Sequence, residues 1–228
     1  MKRLFNLLIK FIQKVLFIEW TGYDLNSKSI DYIIGHYRLF EMTKDVPGHI
    51  IELGTGSGRN VLIFGRIIKI NSQDKYKHVY GFDTFTGFPQ KVLKANKTNK
   101  NFSSKRFKEY NFTDVKLRMI KNDLKGIVHL IKGVLPESIK HFVDSEDFNF
   151  NKDGLKVSIV YVDCNDYETS IKSLEILKEY LSKGSIIAID ENQLGGETKA
   201  LQYFSDKYGY PIKQWNHGGV ISGFIKID

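Results

Sequence analysis

Glu52-Leu53-Gly54-Thr55-Gly56-Ser57-Gly58 joins an apolar run, His49 to Leu53 (HIIEL), to a stretch with helical spacing from Asn60 to Ile70. The order strand, glycine-rich turn, helix decides the fold. Glycines permit positive φ and let backbone come close to a ligand. The start of a helix offers N–H groups that have no intrahelical partner. Glycine spacing separates ligand classes. A dinucleotide fingerprint, G-x-G-x-x-G, would need its third glycine at position 59, where the chain has Arg59. The observed G-x-G-x-G therefore disfavours a nicotinamide-dependent oxidoreductase.

Working outward, the same alternation repeats. His78 to Asp83 (HVYGFD), Ile127 to Ile131, Ser158 to Asp163 (SIVYVD), Ser185 to Asp190 (SIIAID) and Val220 to Ile227 read as strands. Tyr167 to Leu181 and Glu197 to Tyr208 read as helices. Apolar strands separated by helices imply βαβ units, a mostly parallel sheet and helices on both faces. Ahead of Pro47-Gly48, Ser29 to Thr43 is predicted as a helix with Ile30, Ile33, Ile34, Tyr37, Phe40 and Met42 roughly on one side. The predicted organisation is an N-terminal helical extension, 1–46, followed by one α/β domain, 47–228. Gln90 to Asn111, rich in Lys, Asn and Ser, is either an insertion that covers the site or a surface loop.

A chain of 228 residues with 42% hydrophobic content suits one large domain with a real core. Its single cysteine, Cys164, excludes an internal disulfide framework and suits a reducing compartment, so a cytoplasmic location is expected. The histidines are scattered without zinc spacing. The formal charge of +8 points either to a polyanionic partner or to a solvated lysine surface. The lysines are spread rather than packed into one run, which favours the second reading, and no nucleic-acid partner is expected. Met1 to Trp20 combines Leu4, Leu8, Phe11, Val15 and Ile18 at helical spacing with Lys2, Arg3, Lys10 and Lys14. Lys2 and Arg3 ahead of apolar residues suit a signal peptide, but Lys10, Gln13 and Lys14 interrupt the apolar stretch and no small-residue cleavage site follows, which argues against a signal peptide and a membrane span. The segment reads as a basic amphipathic helix that packs on the domain, packs on a partner subunit in a homo-oligomer, or lies on the inner face of a membrane.

In open parallel sheets ligands bind beyond the carboxyl ends of the strands. Asp83 ends the second strand, 31 residues after Glu52. A carboxylate there can accept from both hydroxyls of a ribose, or it can simply cap a turn. Asp163 and the pair Asp190-Glu191 end two later strands. If those strands are neighbours, three carboxylates converge at one sheet edge. A magnesium ion, which prefers oxygen ligands, would relieve their repulsion and favour deprotonation of a bound hydroxyl. Against this stand Asn165 with Glu168, which look like a helix-capping pair, and a loop role for Asp190-Glu191. His217, in Asn216-His217-Gly218-Gly219, is an alternative base or a structural turn residue.

Several ordered motifs sharpen this. Pro47 to Glu52, Phe82 to Pro89 (FDTFTGFP), Gly133-Val134-Leu135-Pro136-Glu137-Ser138, Asp163 to Ser170 and Ile189-Asp190-Glu191 together resemble the macrocin O-methyltransferase family, whose members methylate sugar hydroxyls. The similarity runs from about Pro47 to Phe204. It implies a Rossmann-like, doubly wound, seven-stranded sheet that ends in an antiparallel hairpin. It implies S-adenosylmethionine as methyl donor and magnesium as activator. It places the donor on Glu52, Gly54, Thr55, Gly56, Gly58, Asp83, Thr84 and Gly133, and the metal on Asp163, Asp190 and Glu191, with Asp163 also activating the hydroxyl. The implied acceptor is a glycan or glycosylated small molecule. The chain departs from the family in having Asp163-Cys164-Asn165 where Asp-Gly-Asp is common, Asp190-Glu191 in place of two aspartates, and Gly56-Ser57 where a Trp-Arg pair is frequent. Alternatives are a nucleic-acid methyltransferase, which lacks support because no Asn-Pro-Pro-Tyr motif follows the fourth strand, and a non-catalytic nucleotide-binding member of the fold. A hydrolase is disfavoured by the absence of a G-x-S-x-G elbow.

Overall fold

The computed structural model of the protein describes residues 27–100, 102–103, 111–145, 154–190, 195–217 and 220–228. The predicted amphipathic helix of residues 1–20 and Glu191 lie outside these. Helix α1 (Ser27–Thr43) leads into β1 (His49–Leu53), α2 (Arg59–Ile70) and β2 (Val79–Asp83). Next come α3 (Gln90–Ala95), α4 (Phe112–Lys121), β3 (Val128–Lys132), α5 (Glu137–Asp144) and β4 (Val157–Val162). Helix α6 (Tyr167–Leu177), β5 (Leu181–Ile189), α7 (Gly196–Tyr208), β6 (Ile212–Gln214) and β7 (Gly223–Lys226) complete the order.

The seven strands form one sheet in the order β3-β2-β1-β4-β5-β7-β6. All neighbours pair in parallel except β7, which runs antiparallel to β5 and β6. The order explains the continuous apolar runs. Strand β4 (VSIVYV) is central, covered on both faces, and buried at every position. Alternate residues feed two cores. Ile50, Ile159, Tyr161 and Ile186 meet α1, α2 and α4 through Phe40, Phe64 and Met119. Ile51, Val160, Val162 and Ile187 meet α5, α6 and α7 through Phe142, Leu174 and Phe204. The doubly wound arrangement follows from this two-sided burial.

Helix α1 is turned differently from the sequence expectation. Its buried side carries Tyr32, His36, Leu39, Phe40 and Thr43, while Ile30, Ile33, Ile34 and Tyr37 are about 40% exposed. Polar residues can lie inside because the helix backbone satisfies them: His36 Nδ1 bonds the Tyr32 carbonyl and Thr43 Oγ1 donates to Leu39 O. Other elements carried weak sequence signals. Strand β6 is exposed at all three positions and so has no apolar period. Strand β5 begins at Leu181, straight after a 3-10 turn at Lys178–Tyr180, where a longer helix was expected. No helix among the described residues is long and apolar enough to cross a membrane.

Candidate functional site

Strands β2, β1 and β4 lie side by side, so their carboxyl ends bring Asp83, the glycine turn and Asp163 together. A cavity of about 220 Å³ opens there. The turn's glycines answer to packing. Gly54 has φ +94°, and a Cβ there would sit 2.1 Å from the Asp163 carbonyl oxygen. Any larger residue would push the end of β1 away from β4. Gly58, at φ +81°, leads into α2, where a Cβ would meet Val115 at 2.6 Å.

Asp83 is held in place from two sides. Its Oδ2 accepts from Gly56 N–H at 2.9 Å and its Oδ1 from Phe85 N–H at 2.7 Å. Thr84 Oγ1 donates to the Gly87 carbonyl at 2.6 Å and closes the turn. Carboxylate oxygens have lone pairs beyond these bonds, so Asp83 can still accept from ligand hydroxyls. Gly54, Thr55, Gly56, Asp83, Thr84 and Gly133 all line the cavity, and Phe88, Pro89, Val92 and Leu135 give it apolar walls. The Gln90 to Asn111 stretch thus begins as a wall of the site: Val92 lies on α3, and Asn96 just beyond donates to Asp166 Oδ1 at 2.8 Å.

Two residues expected at the ligand are not in the wall. Gly58 is buried behind it. Glu52 is fully buried, and neither carboxyl oxygen has a hydrogen-bond partner. Burial above all, with repulsion from Asp190 and Asp83 adding to it, pushes its pKa up to about 8. The carboxyl lies behind the loop, where Asn60 and Thr55 work against that rise. Neither residue lines the cavity, because β1 points the glutamate into the interior and α4 packs over the glycine.

Asp163 lines the cavity, with Asn60 Nδ2 donating to its Oδ2 at 3.3 Å. Burial raises its pKa well above the ordinary range, the charges of Asp190, Glu197 and Glu52 raise it further, and Arg59 opposes them. Asp190, 8% exposed, stands behind it and accepts from the Tyr161 hydroxyl at 2.5 Å. Glu197, on α7, is a buried acid that the sequence reading missed. Its Oε1 accepts from Asn165 N–H at 2.6 Å, and burial pushes its pKa up to about 8. No local sequence signal marks this contact, which joins residues 32 apart in the chain. The capping pair is also corrected: Asp166, not Asn165, caps α6, through Thr169 N–H at 2.9 Å.

For magnesium, the described residues provide hard oxygen donors in Asp163 and Asp190, which repel one another. No group of three potential ligands is assembled among the described residues; Glu191 lies outside them. His217 is exposed, sits edge-on to Trp215 at 5.0 Å, and does not line the cavity. Cys164 does line it, but burial drives its thiol pKa far up and Ser170 Oγ lies 3.1 Å away, so the sulfur is no ready nucleophile.

Comparison with known proteins identifies the domain and the fold. Residues 51–192 match the family described as "Methyltransferase domain". Two solved structures of CalS11 share the fold. One, described as a calicheamicin methyltransferase, aligns with TM-score 0.73 at 20% identity over 95% of this chain and 90% of that one. The other, described as apo TDP-rhamnose 3'-O-methyltransferase, aligns at 0.66 and 21% over 99% and 91%. The O-methyltransferase NovP aligns at 0.66 and 15% over 87% and 80%. No curated protein sequence matches significantly.

Proposed function

The chain belongs to the methyltransferase domain family, and from that membership we propose that it carries a methyl group from S-adenosylmethionine to a hydroxyl oxygen of a sugar, on a glycan or a glycosylated small molecule. The observation that carries the reading is the cavity that spans the glycine turn from Asp83 to Asp163. Asp83, fixed by Gly56 and Phe85, supports the ribose. Phe88, Pro89, Val92 and Leu135 supply apolar walls for the adenine. The acceptor would approach from the Asp163 side.

In the reaction the bond between methyl carbon and sulfur breaks as the bond to the acceptor oxygen forms. Sulfur leaves as the neutral thioether of S-adenosylhomocysteine, and the hydroxyl proton passes to Asp163. Asp163 lines the cavity, which places its carboxylate to take that proton. Most of the catalytic work is positioning. Magnesium, held by Asp163 and Asp190 and, as the family resemblance implies, Glu191, would supply charge neutralisation and acidify the acceptor hydroxyl. The sugar acceptor is supported by CalS11, whose description names TDP-rhamnose.

Calorimetric titration with S-adenosylhomocysteine, with and without magnesium, tests the donor site. Micromolar binding to the wild type and at least a tenfold loss in Asp83→Ala are expected, on the order of 1.5–3 kcal/mol for hydrogen bonds to a charged group. Absence of binding under both conditions would remove the donor reading. Tighter binding or faster turnover with magnesium would support the metal.

A further inference from the structure

The charge pattern of the cavity leads past the ribose. Among its described lining residues Arg59 is the one cation, against the acids Asp83 and Asp163. Arg59 is the first residue of α2, and Gly58 at the N-cap brings no side-chain acceptor to the helix start. The guanidinium carbon lies over the Tyr32 ring, 3.7 Å from its centroid, and one N–H donates to the Tyr32 hydroxyl.

Tyr32 is a firm support. It is 7% exposed and stacks on His36 at 5.8 Å. His36 is wholly buried against Phe64 and Tyr161, at 4.8 and 5.0 Å between ring centroids. The brace therefore runs from the core of one face of the sheet to the mouth of the cavity. Beside the arginine, Asn60 lines the same cavity, is 4% exposed, and has an Oδ1 without a hydrogen-bond partner. A guanidinium has five donors in a planar fork that matches a carboxylate. One hydroxyl cannot use them all.

Resting on the donor reading above, we propose that Arg59 binds the α-carboxylate of the donor's amino-acid arm, and that Tyr32 of α1 is the residue that positions it. With the ribose on Asp83 at the end of β2, the arm extends across the glycine turn toward β4 and the start of α2. Arg59 meets it there with the opposite charge. The site then reads a feature that plain adenosine compounds lack, and α1 takes part in donor selection from outside the strand–turn–helix unit.

Calorimetry on the full chain with two probes tests this. One is S-adenosylhomocysteine; the other is its decarboxylated analogue, S-adenosyl-3-thiopropylamine, which lacks only the carboxylate. Wild type should prefer the first by roughly 10–100-fold, the range of a charge-assisted contact. Arg59→Gln should erase that preference and leave affinity for the analogue unchanged, and Arg59→Lys should restore part of it. Tyr32→Leu should shrink the preference in the same ligand-specific way, which a general loss of packing would not do. Thermal unfolding checks that each variant is folded. Equal weakening of both ligands by Arg59→Gln, or unchanged binding of S-adenosylhomocysteine, would overturn the assignment. A wild type that binds neither probe would overturn the donor reading itself, and this proposal with it.

Discussion

Asp163 holds an uncomfortable place for a carboxylate. It ends a strand buried at every position, and Asp190, Glu197 and Glu52 all raise its pKa. The charge of Arg59 works against that rise, and Asn60 donates a hydrogen bond to the carboxylate. Such cost at one residue is characteristic of functional sites. Asp163→Asn keeps the shape and removes the proton acceptor. Turnover should fall roughly 10²–10⁴-fold while S-adenosylhomocysteine still binds, as single-turnover assays and calorimetry would read. Full activity in that variant would end the proton-acceptor role. The strand end made Asp163 legible in the sequence. Its companions were not, because Glu197 reaches the site only through a contact 32 residues away at Asn165.

At the scale of elements, Asp166 connects pieces that the sequence keeps apart. Its Oδ2 takes the N–H and the hydroxyl of Thr169 at the start of α6, and its Oδ1 takes Asn96 after α3. One carboxylate caps a helix and fastens a wall of the cavity. Asp166→Ala should cost about 1–2 kcal/mol for the cap alone, measured by urea unfolding, and should also weaken S-adenosylhomocysteine. Asn96→Ala removes only the fastening, so it should weaken the ligand with a smaller loss of stability. Equal effects of both variants on stability would contradict the division of labour. Helix α1 makes a similar point about legibility. Its apolar residues form one stripe with Ile30, Ile33, Ile34 and Tyr37 and another with Tyr32 and Leu39, so periodicity alone could not tell which faces inward, and the side with His36 and Thr43 is the one buried.

The whole molecule carries a second cluster at the other end of the sheet. His49, His78 and His129 stand near the starts of β1, β2 and β3, around Tyr80. His78 Nδ1 is 3.2 Å from His129 Nε2, and His49 Nδ1 accepts from His78 N–H at 3.1 Å. Burial, then repulsion from His78, Lys77 and His129, lowers the His49 pKa to about 4, and burial lowers His78 and His129 too. Unfolded histidine titrates near 6.5. Between about 6.5 and 4 the unfolded chain therefore binds more protons, so this contribution to stability is present above 6.5 and lost as pH falls. The raised pKa values of Glu52 and Glu197 work in the opposite direction between about 8 and 4.5. The wild-type profile is a sum of the two, and a variant isolates one. His49→Gln should gain about 1–2 kcal/mol relative to wild type on going from pH 7.5 to 5. Urea midpoints that run parallel for both proteins would contradict the buried neutral imidazole.

The sequence by itself determined the strand–turn–helix unit, the parallel sheet and the acids at strand ends. Apolar runs, glycine conformations and helix spacing act between neighbours in the chain, so they can be read without coordinates. The tertiary structure alone decided why Gly54 must be glycine, which is the Asp163 carbonyl 2.1 Å from its missing Cβ. It also decided that Glu52 turns inward, that α1 buries its histidine side, and that Tyr32 braces Arg59. Each of these depends on residues that meet only because the order β3-β2-β1-β4-β5 sets distant segments side by side. Contacts of that kind are set by strand order and two-sided burial, which no local pattern encodes.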